Sequence, residues 1–208
     1  MPGTKRDGVP GRRQLAPRPR RHPRILHCVA ITAVSLLALA GVLILVFWLV
    51  VRPSLLRYSV NGAHVQGFDL SGSALKATFN LTVEARNPNH KVAVCYDQVE
   101  VAVWYDGQLL ASDEAAPFYQ PSRDVRVLKA DPVARSTPLL GSVAASLERD
   151  RSSRGMAVEV RLRAVVRFKL GLLKTDRYAL QAYCSPVFLR FSPLPRAKFE
   201  KVACDVYF

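Results

Sequence analysis

The chain has 208 residues and a formal net charge of +14, with hydrophobic residues making up half of it. Half of that net charge falls in the first 27 residues, so the basic folded face that nucleic-acid binding requires is not indicated. The four histidines (His22, His27, His64, His90) lack metal-ligand spacing, and no G-x-S-x-G elbow or P-loop is present, so no catalytic residue, metal or cofactor is expected.

Residues 1–27 are rich in Arg, Pro and Gly and poor in apolar residues. Such a stretch buries too little surface to offset the entropy of ordering its backbone, so it reads as a disordered tail. Cys28 to Val51 follows, 24 residues without a charge, an amide side chain or a histidine. A helix of that length is about 36 Å long and covers the roughly 30 Å hydrocarbon core of a bilayer. It reads as one transmembrane helix over 28–51. Eight basic residues precede it, while only Arg52 and Arg57 follow closely. That asymmetry predicts a cytoplasmic tail and an outward domain, a type II arrangement. Ala38-Leu39-Ala40 fits a signal-cleavage pattern, but cleavage there would leave an apolar N-terminus, so the span reading is preferred. Cys28, at the cytoplasmic end, is a candidate for palmitoylation; the competing reading is a small apolar residue in the span.

Residues 52–208 read as one β domain. Leu75, Ala77, Phe79, Leu81, Val83 and Ala85 alternate with polar residues, the mark of a half-buried strand. Asn87-Pro88-Asn89 ends it. Val99, Val101, Val103 and Tyr105 share one face of a second strand, and Asp106-Gly107 predicts a hairpin into 108–111. Pro117 and Pro121 exclude a central strand between them, 124–130 is a further strand, and 139–148 is the one soluble helix expected. The longest alternation runs from Met156 to Leu170, with Gly171 as its stop. Tyr178–Cys184 and Val202–Phe208 complete an antiparallel β-sandwich of fibronectin or immunoglobulin type.

Four sets of residues are candidates for chemistry or binding. Asn80-Leu81-Thr82 is an N-glycosylation sequon; the alternative for Asn80 is an unmodified strand residue. Cys184 and Cys204 flank a Pro-containing loop and are expected to pair in an oxidising compartment, the alternative being two buried thiols, which leaves Cys95 as a small core residue or an intermolecular partner. Arg161, Arg163, Arg167 and Lys169 line one face of the long strand; they are either a solvated face that discourages edge pairing or a strip for anionic partners. Phe118 and Tyr119 plug the end of the sandwich or meet a partner directly.

Asn87-Pro88-Asn89, then Tyr96-Asp97, then Pro117-Phe118-Tyr119-Gln120, then the run from Arg163 to Thr175 resemble the plant NHL family. These are harpin-induced, disease-resistance-like membrane proteins with a late-embryogenesis-abundant group 2 domain. The resemblance covers about 52–208. It implies a fibronectin-like β-sandwich at the plasma membrane, without catalytic residues, and a role in defence or stress response; the Asn80 sequon and the predicted topology make it an expected glycoprotein. The expected partners are the lipid bilayer and, beyond it, other membrane proteins or acidic wall polysaccharide, not nucleic acid. Two rival functions are a lipid-binding role, with an acyl chain held by the domain, and a tether between membrane and cell wall.

Overall fold

A computed structural model describes residues 23–51, 54–153, 155–191 and 199–208. The expected tail over 1–27 lies outside them, apart from its last five residues. The chain divides into two compact units near Val51. The first contains α1 (Pro23–Val51), a 29-residue helix. It starts five residues earlier than expected, with proline in the first turn, where a missing N–H costs nothing. Its 26–46 stretch is long and apolar enough to cross a bilayer, with its leucines, isoleucines and valines exposed.

The second unit has twelve strands and one helix among the described residues. The strands are β1 (Arg57–Ser71), β2 (Ala74–Arg86), β3 (Val92–Tyr105), β4 (Gln108–Ala115), β5 (Phe118–Gln120), β6 (Val125–Ala130) and β7 (Val133–Pro138). After α2 (Gly141–Ser152) come β8 (Gly155–Leu170), β9 (Leu173–Lys174), β10 (Tyr178–Arg190), β11 (Val202–Ala203) and β12 (Asp205–Tyr207). The mainly β architecture is as expected. The hydrogen bonds, however, draw one continuous curled sheet, in the order β4-β3-β8-β10-β1-β2-β6, rather than two separate ladders. The two arms join at a parallel contact between β1 and β10, His64 opposite Arg190. All other pairings are antiparallel.

Each outer edge is a strand broken by proline. β4 and β5 succeed one another along β3, with Pro117 at the break. β6 and β7 do the same along β2, with Pro132 at the break. Proline cannot donate to a ladder, and edges are where it is tolerated. The Pro117–Pro121 segment is thus an edge strand.

The alternating faces form the core. Phe79, Val83 and Ala85 of β2, Val101 and Val103 of β3, and Val160, Leu162 and Val166 of β8 are buried. The periodicity over-reads only at the end of β8. Phe168 and Leu170 continue the inward face but are half-buried, because the strand runs past the core there. The Asp106–Gly107 turn has positive φ at both residues, +47° and +75°, the twist that a two-residue hairpin requires. α2 begins two residues later than expected and runs four further, burying Val143 and Leu147.

β1 has no counterpart in the sequence reading. Gly62 and Gly67 interrupt its alternation, and the structure puts bulges beside each, between Val60 and Gly62 and between Gln66 and Asp69. The C-terminal strand is split at Cys204: β11 pairs with β1, and β12 with β10.

Candidate functional site

Four of the motif residues, Asn87, Asn89, Tyr96 and Gln120, scattered over more than thirty positions, meet in one buried polar network at one end of the β domain. Asn87 is fully buried. Its amide nitrogen donates to the carbonyls of Val92 (2.8 Å) and Pro121 (2.9 Å), and its oxygen accepts from the backbone N–H (3.1 Å) and side-chain amide (3.0 Å) of Asn89. Asn89 in turn brackets Ser54, donating to its carbonyl at 2.9 Å and accepting from its N–H at 2.7 Å. Every donor of both amides is used, as burial demands. Pro88 between them sets the turn.

Gln120 is the second centre. Its amide donates to the carbonyls of Ala85 (2.9 Å) and Asp124 (3.1 Å). Its oxygen is therefore the acceptor for the Tyr96 hydroxyl, at 3.2 Å. Since Tyr96 gives its proton to Gln120, the 2.6 Å contact with Tyr58 runs the other way, with Tyr58 as donor. Tyr96 also stacks on Phe118 at 4.2 Å between ring centroids, and the Arg126 guanidinium lies over Phe118. Tyr119, beside it, is exposed. Phe118 is thus packed, while Tyr119 points away from the network.

Burial pushes the Tyr96 hydroxyl from an ordinary value of 10 up to about 12, and raises that of Tyr58 well above its ordinary value. An unfolded tyrosine loses its proton near pH 10, whereas folded Tyr96 keeps it until about pH 12. Across that window the unfolded state binds fewer protons, so rising pH favours unfolding. Stability should be unaffected by these groups below pH 10 and fall between pH 10 and about 12. Melting curves at pH 9 and pH 11 check this: Tyr96→Phe should shrink the difference between them, and an undiminished difference would remove the assignment.

Asp97, next in the motif, faces the other side of β3. It accepts from Arg167 at 2.6 Å and from Arg177 at 3.3 Å. The hydrogen bond from Arg167, then its charge, holds the Asp97 carboxyl below its ordinary range. This alters the picture of the basic strip. Arg167 is engaged by Asp97, and Arg161 bonds Glu159 at 2.5 Å while lying 4.0 Å over the Trp104 ring. Arg163 and Lys169 have no carboxylate partner among the described residues, and Lys169 lies over Tyr119. Arg163 sits opposite Glu100 in the ladder. The four residues therefore share a strand face without forming a strip of four available cations.

Cys184 and Cys204 are joined by a disulfide, their Cα atoms 4.2 Å apart. The bond ties β10 to the link between β11 and β12. Cys95 is a half-buried free thiol on β3, and Cys28 is an exposed thiol on α1. Asn80 is half-buried in β2, with its amide nitrogen donating to Asp131 at 2.7 Å and its oxygen buried without a partner. A glycan there would share this nitrogen with the Asp131 contact.

Beside the Asn89–Ser54 bracket lies an open hollow of about 580 Å³. Leu55, Leu56, Phe168, Leu173, Tyr178 and Phe208 are among its lining residues. Nothing in the periodicity marked it, because it forms where four non-consecutive segments come together. Tyr58 and Ser54 were equally illegible: their partners lie 38 and 35 residues away. No cluster of three or more His, Cys, Asp or Glu residues able to hold a metal exists among the described residues.

A family model, late embryogenesis abundant protein, matches residues 82–182. NDR1/HIN1-like protein 10 of Arabidopsis thaliana is 32% identical, over 76% of this chain and 71% of that protein. NDR1/HIN1-like protein 3 from the same plant is 30% identical, over 84% and 78%, and NDR1/HIN1-like protein 1 is 30% identical, over 71% and 72%.

Proposed function

Because the chain belongs to the NDR1/HIN1-like family and carries a late embryogenesis abundant domain, we propose that it is a single-pass plasma-membrane protein of the plant defence and stress response. It acts without catalysis, through an outer β domain held by α1. Family membership itself points to a plant stress or defence protein. The observation that carries the membrane reading is the pairing of a helix whose 26–46 stretch is long and apolar enough to cross a bilayer with a disulfide-bonded domain. Disulfides persist outside the reducing cytosol, and the basic residues that precede the helix favour the cytoplasmic side. The inward apolar face of the curled sheet supports the finer reading of a fibronectin-like sandwich. The side chains of Asn87, Asn89, Tyr96 and Gln120 are spent inside the domain, so its partners are expected to meet the exposed surface around them, Tyr119 included.

Labelling intact protoplasts with a membrane-impermeant amine reagent tests the orientation. Lys91 and Lys129, both exposed on the domain, should be modified, and Lys5 should be modified only after permeabilisation. Labelling of Lys5 alone in intact cells would reverse the topology. Asn80 glycosylation belongs to the same reading, since N-glycans are added on the lumenal side, which becomes the outside.

A further inference from the structure

The 580 Å³ hollow is not used by the polar network, and its size is in the range of about 300–1,000 Å³ typical of small apolar ligand sites. Two of its lining leucines are exposed, Leu173 at 70% and Leu55 at 66%, and next to Leu173, at the tip of the β8–β9 hairpin, Leu172 is fully exposed. Large exposed apolar side chains grouped beside an apolar hollow point to an interaction surface.

Two observations say what covers it. The first is charge. Lys169 and Lys174 stand directly opposite one another in the hairpin, and neither has a carboxylate partner among the described residues. Like charges so placed are unfavourable. An anionic layer over the hairpin would relieve them. The second is connectivity. Ser54, Leu55 and Leu56 line the hollow, and only two residues separate Ser54 from Val51 at the end of α1. Two intervening residues span about 10 Å when extended.

We propose that the hollow and the hairpin tip form a docking surface for phospholipid of the bilayer that α1 spans. Leu172 and Leu173 enter the interfacial layer, an acyl chain covers the hollow, and Lys169 and Lys174 meet headgroup phosphates. Long lysine stems suit this, burying their methylenes while the ammonium stays at the interface. This rests on reading α1 as a membrane span.

The test uses the full chain reconstituted in phosphatidylcholine–phosphatidylserine vesicles, with and without brominated acyl chains. Leu172→Trp is compared with Leu109→Trp, an exposed site on β4 next to the Asp106–Gly107 turn, at the other end of β3 from the hollow. Brominated lipid should quench the emission added by Leu172→Trp and leave that added by Leu109→Trp unchanged. Adding Lys174→Glu to Leu172→Trp should reduce the quenching. Equal quenching in the two tryptophan variants overturns the docking surface. A second copy of the chain seated on the hollow would give that same result, so it too counts against the proposal. An alkaline wash after the measurement reads the anchor separately. A chain retained but unquenched loses only the docking surface, and a chain washed away but quenched loses only the span.

Discussion

Asn87→Ala is expected to destabilise the β domain by about 3–4 kcal/mol, from two buried backbone groups and one part-buried one left unpaired at roughly 1–3 kcal/mol each, partly relieved by relaxation. The groups are the carbonyls of Val92 and Pro121 and the N–H of Asn89. Because the side chain is fully buried, water cannot readily replace it. Asn87→Asp should be no milder: it keeps the acceptor but loses both donors and buries a charge. Urea unfolding followed by near-ultraviolet circular dichroism measures the loss. A change below about 1 kcal/mol, the size of a single typical hydrogen bond, would mean the network is not cooperative.

Removing the disulfide by Cys184→Ala with Cys204→Ala should cost about 3 kcal/mol by the loop-entropy relation. The sequence separation it closes is 20 residues. For a domain of this size that corresponds to a fall in Tm of about 6–12 °C. The cost should not be confined to the unfolded chain. β11 and β12 are only two and three residues long, so they depend on the bond to stay between β1 and β10. Hydrogen exchange at Val202 and Val206 should therefore rise more than at Val160 in the core. Uniform change across the domain would show that the bond acts on the unfolded state alone.

How far the sequence speaks can be judged from particular elements. The long strands β2, β3 and β8 were legible because each has one face in water and one in the core, which writes a period of two into the residues. β1 was not, since its bulges reset the alternation twice. The joining of both arms into one curled sheet was also hidden, because among the described residues it rests on one parallel pairing, His64 with Arg190, and on the short strands β11 and β12 that pair with β1 and β10. The candidate residues fared according to range. Asn87 and Asn89 lie two positions apart and read as a turn, which they are. Their further use, as a bracket on Ser54 and on the 121–124 loop, depends on residues brought together only by folding. The alternation in β8 puts its basic residues on one face. That Asp97 and Glu159 hold two of its arginines could not be read from the strand itself: Asp97 comes from β3, and Glu159 lies among the arginines without its reach being visible.

The bracket on Ser54 bears on mechanics. Any tension reaching the β domain from its N-terminal side enters at Ser54, before β1 begins. There it meets Asn89, which grips both the N–H and the carbonyl of that residue and is itself held by Asn87. The pull is thereby shared with the β2–β3 and β5–β6 loops. It does not fall first on the pairing of Arg57 with Arg86, where β1 would otherwise unzip one rung at a time.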